Sequence, residues 1–146
     1  MKFVRLSLIL LLGLWGCLTE PDCFDTTTNY VAMGFYDADD ETINVLVDSI
    51  AVTGLQGYLI PEDSLNEFEL PIDPSEIQSG ITFYMGEEIH TLNLAYRIET
   101  QVISEDCGAL AYIMDLKLTD SSFENITILN NRLATNAGIN VKITLE

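Results

Sequence analysis

Few side chains in this sequence carry reactive chemistry: one histidine, three cysteines and 23 carboxylates. A serine hydrolase needs its nucleophile on a strained turn, a histidine beside it and an oxyanion hole. The chain has no Gly-x-Ser-x-Gly, and its one imidazole, His90, opens an extended run, so catalysis is not expected there. A hydrolase would need a cleft gathering His90 with several carboxylates. Neighbouring acids such as Asp39/Asp40 and Glu87/Glu88 are unavoidable in so acidic a chain and define no glycosidase pair. Asp37, Asp39, Asp40 and Glu41 supply the oxygen ligands that a hard cation such as calcium takes. They lack the glycine and the twelfth-position glutamate of an EF-hand loop, and the plainer reading is a solvated hairpin turn. No cofactor motif is present, and no cofactor is expected.

The three cysteines divide by position. Cys17 closes a segment with the layout of a targeting signal: Lys2 and Arg5, then an apolar run from Leu6 to Trp15 interrupted by Ser7 and Gly13. A mature membrane span needs roughly 20 apolar residues, so this run is read as a signal helix. Leu14-Trp15-Gly16-Cys17 resembles a bacterial lipobox, in which a peptidase cuts before a cysteine bearing a diacylglyceryl thioether. Trp15 is bulkier than usual at its place. Ordinary signal cleavage, the rival, wants small residues at both −1 and −3, which Leu14 fits poorly. The expectation is a signal peptide over 1–16, a lipid on Cys17, a tether over 17–29 and a folded domain over 30–146. Acyl chains anchor at ~0.8 kcal/mol per buried methylene. Cys23 and Cys107 remain, an even pair in an oxidising compartment, and are expected to form a disulfide. Zinc is the rival there, but two thiolates and a distant His90 are a poor ligand set.

Loss of residues 1–16 removes Lys2 and Arg5 and leaves 4 basic against 23 acidic residues, a net charge of −19. Nucleic acid, which needs Lys and Arg against its phosphates, is excluded as a partner. Flat adsorption on anionic lipid is disfavoured for the same reason. The plain role of the charge is solubility.

The elements that must position these groups read as strands throughout. Residues 30–36 form a first strand, followed by the acidic turn 37–41. Residues 43–54 hold β-branched runs ended by Gly54, residues 55–60 a short strand closed by Pro61, and residues 65–70 another. Pro71 and Pro74 place a bend or a sheet edge after it. Residues 81–85 and 89–99 look like a hairpin around a Gly-containing loop, and 102–104 stay extended. Over 109–118, Leu110, Tyr112, Met114, Leu116 and Leu118 alternate onto one face. Residues 123–129 give a further strand. The last run alternates most cleanly, with Ile139, Val141, Ile143 and Leu145 against Asn140, Lys142, Thr144 and Glu146. No window beyond the signal sustains a 3.6-residue apolar period. About eight short strands over a 130-residue mature chain predict an all-β fold, an antiparallel β-sandwich.

Short motifs along the mature chain resemble a family of uncharacterised lipoproteins from Bacteroidota, a domain of unknown function. They are Cys17 and Cys23, the threonines 26 to 28, Phe35-Tyr36-Asp37, Asp48-Ser49-Ile50 with Gly54, and Leu70-Pro71-Ile72-Asp73-Pro74. The most specific is Tyr96 and Arg97 followed by Ile103, Ser104, Cys107 and Gly108. The resemblance implies a lipid-anchored, mostly β extracytoplasmic domain and brings no activity or ligand with it. Gly108 suits a backbone position that tolerates no Cβ. Arg97, one of the few mature cations, is expected to pair with Glu99 or Glu105. Organisms of this group attach O-linked glycans at Asp, then Ser or Thr, then an aliphatic residue or Thr. Thr26, Ser49 and Ser64 match, whereas the Asn125-Ile126-Thr127 sequon is read as chance in a bacterium.

The expected function is non-enzymatic: a membrane-anchored envelope lipoprotein with a structural or protein-interaction role. The alternative is a small-ligand or glycan-binding module whose exposed aromatics would include Tyr30, Tyr58 and Tyr84. Leu18 in place of an inner-membrane retention Asp, with Glu20 and Asp22 soon after, points to the outer membrane, at its periplasmic face or the cell surface.

Overall fold

The extended runs pair as their alternation demands: strands with one apolar face must bury it, and two sheets do so against each other. The structure, a computed structural model, describes residues 29–55, 59–60, 63–104, 108–133 and 138–145. The expected signal segment and most of the expected tether, with Cys17, Cys23 and Thr26, lie outside the described residues, as do Tyr58, Glu105 and Cys107.

The fold is the expected all-β sandwich. Eleven strands are described: β1 (Tyr30–Tyr36), β2 (Val45–Val47), β3 (Ser49–Val52), β4 (Leu59–Ile60), β5 (Asp63–Leu65), β6 (Glu67–Pro71), β7 (Gln78–Met85), β8 (Glu88–Ser104), β9 (Gly108–Ser121), β10 (Asn125–Ile128) and β11 (Val141–Thr144). One sheet has the order β10-β11-β1-β6, the other β4-β3-β7-β8-β9, and β2 pairs with β5 apart from both. Pro71 ends β6, an edge strand, where its missing N–H costs no ladder bond.

The core lies between the two larger sheets. Val31, Met33 and Phe35 of β1, Val141 and Ile143 of β11, and Leu70 of β6 face Ile50, Ile81, Phe83, Leu92, Leu94 and Ile113 of the other sheet. Four phenylalanines tie the layers together. Phe35 and Phe68 from one sheet meet Phe83 of β7 at 6.2 and 6.3 Å between ring centroids, and Phe123 meets Phe83 at 5.4 Å.

Four details depart from the sequence reading. First, β1 and β11 are parallel, Met33 opposite Val141 through Tyr36 opposite Thr144, so the sheet is mixed. Second, β8 and β9 are long, 17 and 14 residues. Beyond Ala95, the last residue of β8 opposite β7, they run on as a two-stranded ribbon. Third, β9 does not keep one face. Between Ala95/Lys117 and Arg97/Met114 it has one residue more than β8, and Asp115 takes φ = 56° there. That bulge changes the parity, so Ile113 and Leu116 are both buried while Leu118 is exposed. Fourth, the last strand begins at Val141, because Asn140 turns its side chain inward onto the backbone of β1 and of the preceding loop.

Candidate functional site

The long hairpin brings together most of the polar chemistry, in three places. The first is a cleft of about 500 Å³ at the start of β8, lined by Glu88, His90, Ser122, Phe123 and Glu124 together with the end of β11. This is the gathering of His90 with carboxylates that a hydrolase would require. The His90 ring stacks on Phe123 at 4.5 Å and 12°. Its Nε2 lies 3.1 Å from Glu88 Oε2, and its Nδ1 lies 3.5 Å from Ser122 Oγ. The tautomer that satisfies both contacts holds its proton on Nε2 and accepts at Nδ1.

Pairing across β8 and the end of β9 builds this trio. Thr91 N–H donates to Ser122 Oγ at 2.8 Å, and Ser122 N–H donates back to the Thr91 carbonyl at 2.9 Å. Phe123 N–H donates to Ser121 Oγ at 2.9 Å. The amides nearest the hydroxyl, including the one after the serine that would form an oxyanion hole, are therefore engaged. The Glu88 side chain is 77 % exposed, which leaves it a weak orienting group. The cleft presents a polar surface with His90 stacked on Phe123 and the amides around Ser122 engaged. Ser122 was not legible as a neighbour of His90, because 32 residues separate them.

The second place is a cleft of about 490 Å³ on the five-stranded sheet. Gly80 lies between Asn93 Oδ1 and Thr53 Oγ1, each 3.0 Å from where a Cβ would stand, and Asp120 and Thr119 continue the wall. Asn93 donates to Asp120 Oδ2 at 3.4 Å, and Thr119 donates to the Asn93 carbonyl at 3.0 Å. Ser79 is 3 % exposed and its hydroxyl has no hydrogen-bond partner among the described residues. It alternates inward with Ile81 and Phe83, so that hydroxyl belongs to the core side of the sheet. Of the expected aromatics, the two among the described residues do not gather: Tyr30 lies on β1 and Tyr84 on β7, in different sheets.

The third place is the root of the ribbon. Arg97 donates from Nε to Asp115 at 2.9 Å and from Nη1 to Glu99 at 3.2 Å, and these bonds raise its pKa, the Asp115 bond most. Glu99 was expected; Asp115 reaches Arg97 only through the bulge. The residues Asp73-Pro74-Ser75-Glu76 form a turn in which Asp73 accepts the Ser75 hydroxyl and amide, which lowers its pKa. Its carbonyl accepts the Tyr96 hydroxyl at 3.0 Å.

Tyr96 is 6 % exposed. Burial first, then the Asp73 and Glu76 charges, push its pKa up to about 12. An unfolded phenol ionises near ~10, so the stability held by neutral Tyr96 is complete below that pH and is lost as pH rises to about 12. Absorbance titration should show a late phenol that ionises together with alkaline unfolding, and Tyr96→Phe should abolish that step. Uniform ionisation of all six tyrosines near pH ~10 would contradict it.

The remaining expected positions fall as follows. Asp37 Oδ1 accepts the amides of Asp39 and Glu41, both at 2.9 Å, and Asp40 is ion-paired with Lys142. The segment closes a turn between Tyr36 and Thr42, with the Asp37 carboxylate on backbone amides and the Asp40 carboxylate on Lys142. Among the described residues no three His, Cys, Asp or Glu side chains are arranged to hold a metal ion. Ser49 is half-buried in β3 and Ser64 is exposed on β5. Gly108 has φ = 71° with open space beside it, so backbone conformation and not crowding favours glycine there.

Comparison with protein-family models, with curated proteins and with solved structures finds no match for this chain.

Proposed function

We propose that the protein is a lipid-anchored, extracytoplasmic β-sandwich that works by binding, with a structural or protein-interaction role at a bacterial envelope, most simply the outer membrane. The carrying observation is one of order along the chain. A short charged and apolar leader runs into Leu14-Trp15-Gly16-Cys17, and thirteen residues later an all-β domain opens at Tyr30. The likeness to Bacteroidota lipoproteins supports the same reading. So does the engagement of the amides around Ser122, which leaves the His90 cleft suited to contact and not to turnover. The Gly80 cleft, with hydroxyl, amide and carboxylate groups around a dent, favours a second reading, a small polyhydroxyl ligand.

Fractionation tests the anchor. The natural protein should pellet with membranes, and its intact mass should equal residues 17–146 plus a diacylglyceryl group. Cys17→Ser should move nearly all of it to the soluble extracytoplasmic fraction. Equal membrane association of the two would overturn the reading.

A further inference from the structure

The outer face of the five-stranded sheet carries an ordered strip of side chains. Ser79, Ile81 and Phe83 of β7, and Leu92 and Leu94 of β8, are buried on its core side. The residues between them face outward. Register sets these in rows across the strands. Thr53, Gly80, Asn93 and Asp120 form one row: Thr53 N–H donates to the Gly80 carbonyl at 2.8 Å, Gly80 stands opposite Asn93, and Asn93 opposite Asp120. Ala51, Thr82 and Thr91 form the next row, and Ser49, Tyr84 and Ile89 the third.

The chemistry changes along the strip. The first row is the Gly80 cleft, where Thr53 Oγ1 and Asn93 Oδ1 lean over the glycine. A Cβ there would meet both at 3.0 Å, so glycine keeps the notch open. The second row adds the Thr82 and Thr91 hydroxyls. The third is apolar: Tyr84 is 38 % exposed, and Ile89 directly opposite is 61 % exposed. Tyr84 lies four residues from Gly80 along β7, ~13 Å away on the same face.

We propose that this strip binds a neutral, linear oligosaccharide lying along β7, with hydroxyls on the Gly80 row and a sugar ring on Tyr84 and Ile89. The proposal rests on the second reading above, a polyhydroxyl ligand, and deepens it by naming the ligand class and its course. A sugar hydroxyl both donates and accepts, and the hydroxyl, amide and carboxylate groups of the first row together do both. Sugar C–H bonds seat on an aromatic face, whose π cloud is negative. The described lining of the cleft holds Asp73, Glu76 and Asp120 and neither lysine nor arginine, which repels a sulfated or uronic chain. The distance from notch to ring exceeds one sugar ring, so the ligand is a chain and not a monosaccharide.

Titration of the intact protein with cellohexaose, laminarihexaose, mannohexaose and maltohexaose, followed by amide NMR, tests this. One of them should shift the amides of Gly80, Thr82, Tyr84, Thr91 and Asn93. It should bind at least about ten-fold more tightly than its own disaccharide, which cannot reach both ends of the strip. Asn93→Ala and Tyr84→Ala should each weaken it about three- to ten-fold. Tyr84→Ala, at an exposed site, should melt as the parent does, so its loss of binding reads the surface and not the fold. Binding that shifts amides elsewhere and ignores both substitutions would overturn the strip and keep the second reading. A disaccharide as tight as its hexamer would do the same. Equal binding of hexagalacturonate would overturn the neutral class. No binding by any of these sugars would overturn the strip and the second reading together.

Discussion

Asn140→Asp is expected to destabilise the domain by about 3–5 kcal/mol at neutral pH, a large part of the ~5–15 kcal/mol that holds a domain folded. Asn140 is 2 % exposed. Its Oδ1 accepts Ala32 N–H at 3.0 Å, and its Nδ2 donates to the carbonyls of Asn130 and Arg132 at 3.1 and 3.0 Å. Its backbone N–H donates to the Ala32 carbonyl at 2.8 Å. The residue thereby fixes β1, the head of β11 and the loop after β10. Aspartate keeps the acceptor but sets an anionic oxygen against two carbonyls. Burial and those carbonyls would raise the new carboxyl's pKa, so the loss should shrink as pH falls and the proton returns. Urea melts at pH 7 and pH 5 would read this, with Asn140→Ala losing about 2–4 kcal/mol at both. A neutral-pH loss under about 1 kcal/mol for Asn140→Asp would show that the node is not structural.

Phe83→Ala should cost about 3–5 kcal/mol, from lost burial and the cavity it leaves. Phe83 is fully buried and, among the described residues, is the one ring that meets Phe35, Phe68 and Phe123 together. Each such pair adds ~0.5–1.5 kcal/mol beyond area burial. Phe83→Leu keeps most of the volume and should cost under about half as much. Because Phe123 also stacks on His90, Phe83→Ala should change the near-ultraviolet dichroism in native buffer before any denaturant is added. A melt within about 1 kcal/mol of the parent would mean that the two sheets do not depend on this cluster.

The fold class was legible because alternation is a local property. Tyr30–Tyr36 and Val141–Thr144 show it within a few residues, and each buries the face it predicts. The parallel pairing of those two strands was not legible, since no local pattern joins Met33 to Val141. Nor was the parity of β9: the extra residue at Asp115 changes the face of the residues from there to the next register shift, between Leu118 and Asp120. That same bulge explains why Glu99 was foreseeable as a partner of Arg97 and Asp115 was not. Ser122 met His90 through strand pairing over 32 residues, and Asn140 looked like an outward residue of a clean alternation until its side chain was seen to carry three hydrogen bonds. At the sites, sequence supplied residue types and missed contacts set by register.

The first described strand sits between β6 and the last described strand, joined to the latter over a separation of 108 residues. Its sheet cannot close until Val141–Thr144 has been delivered. A polypeptide of this topology, threaded N-terminus first through a secretion pore, stays open for almost its entire passage and locks only on the far side. If the chain is exported as proposed, a late-arriving closing strand would keep it competent for translocation, at the expense of slow, long-range folding afterwards.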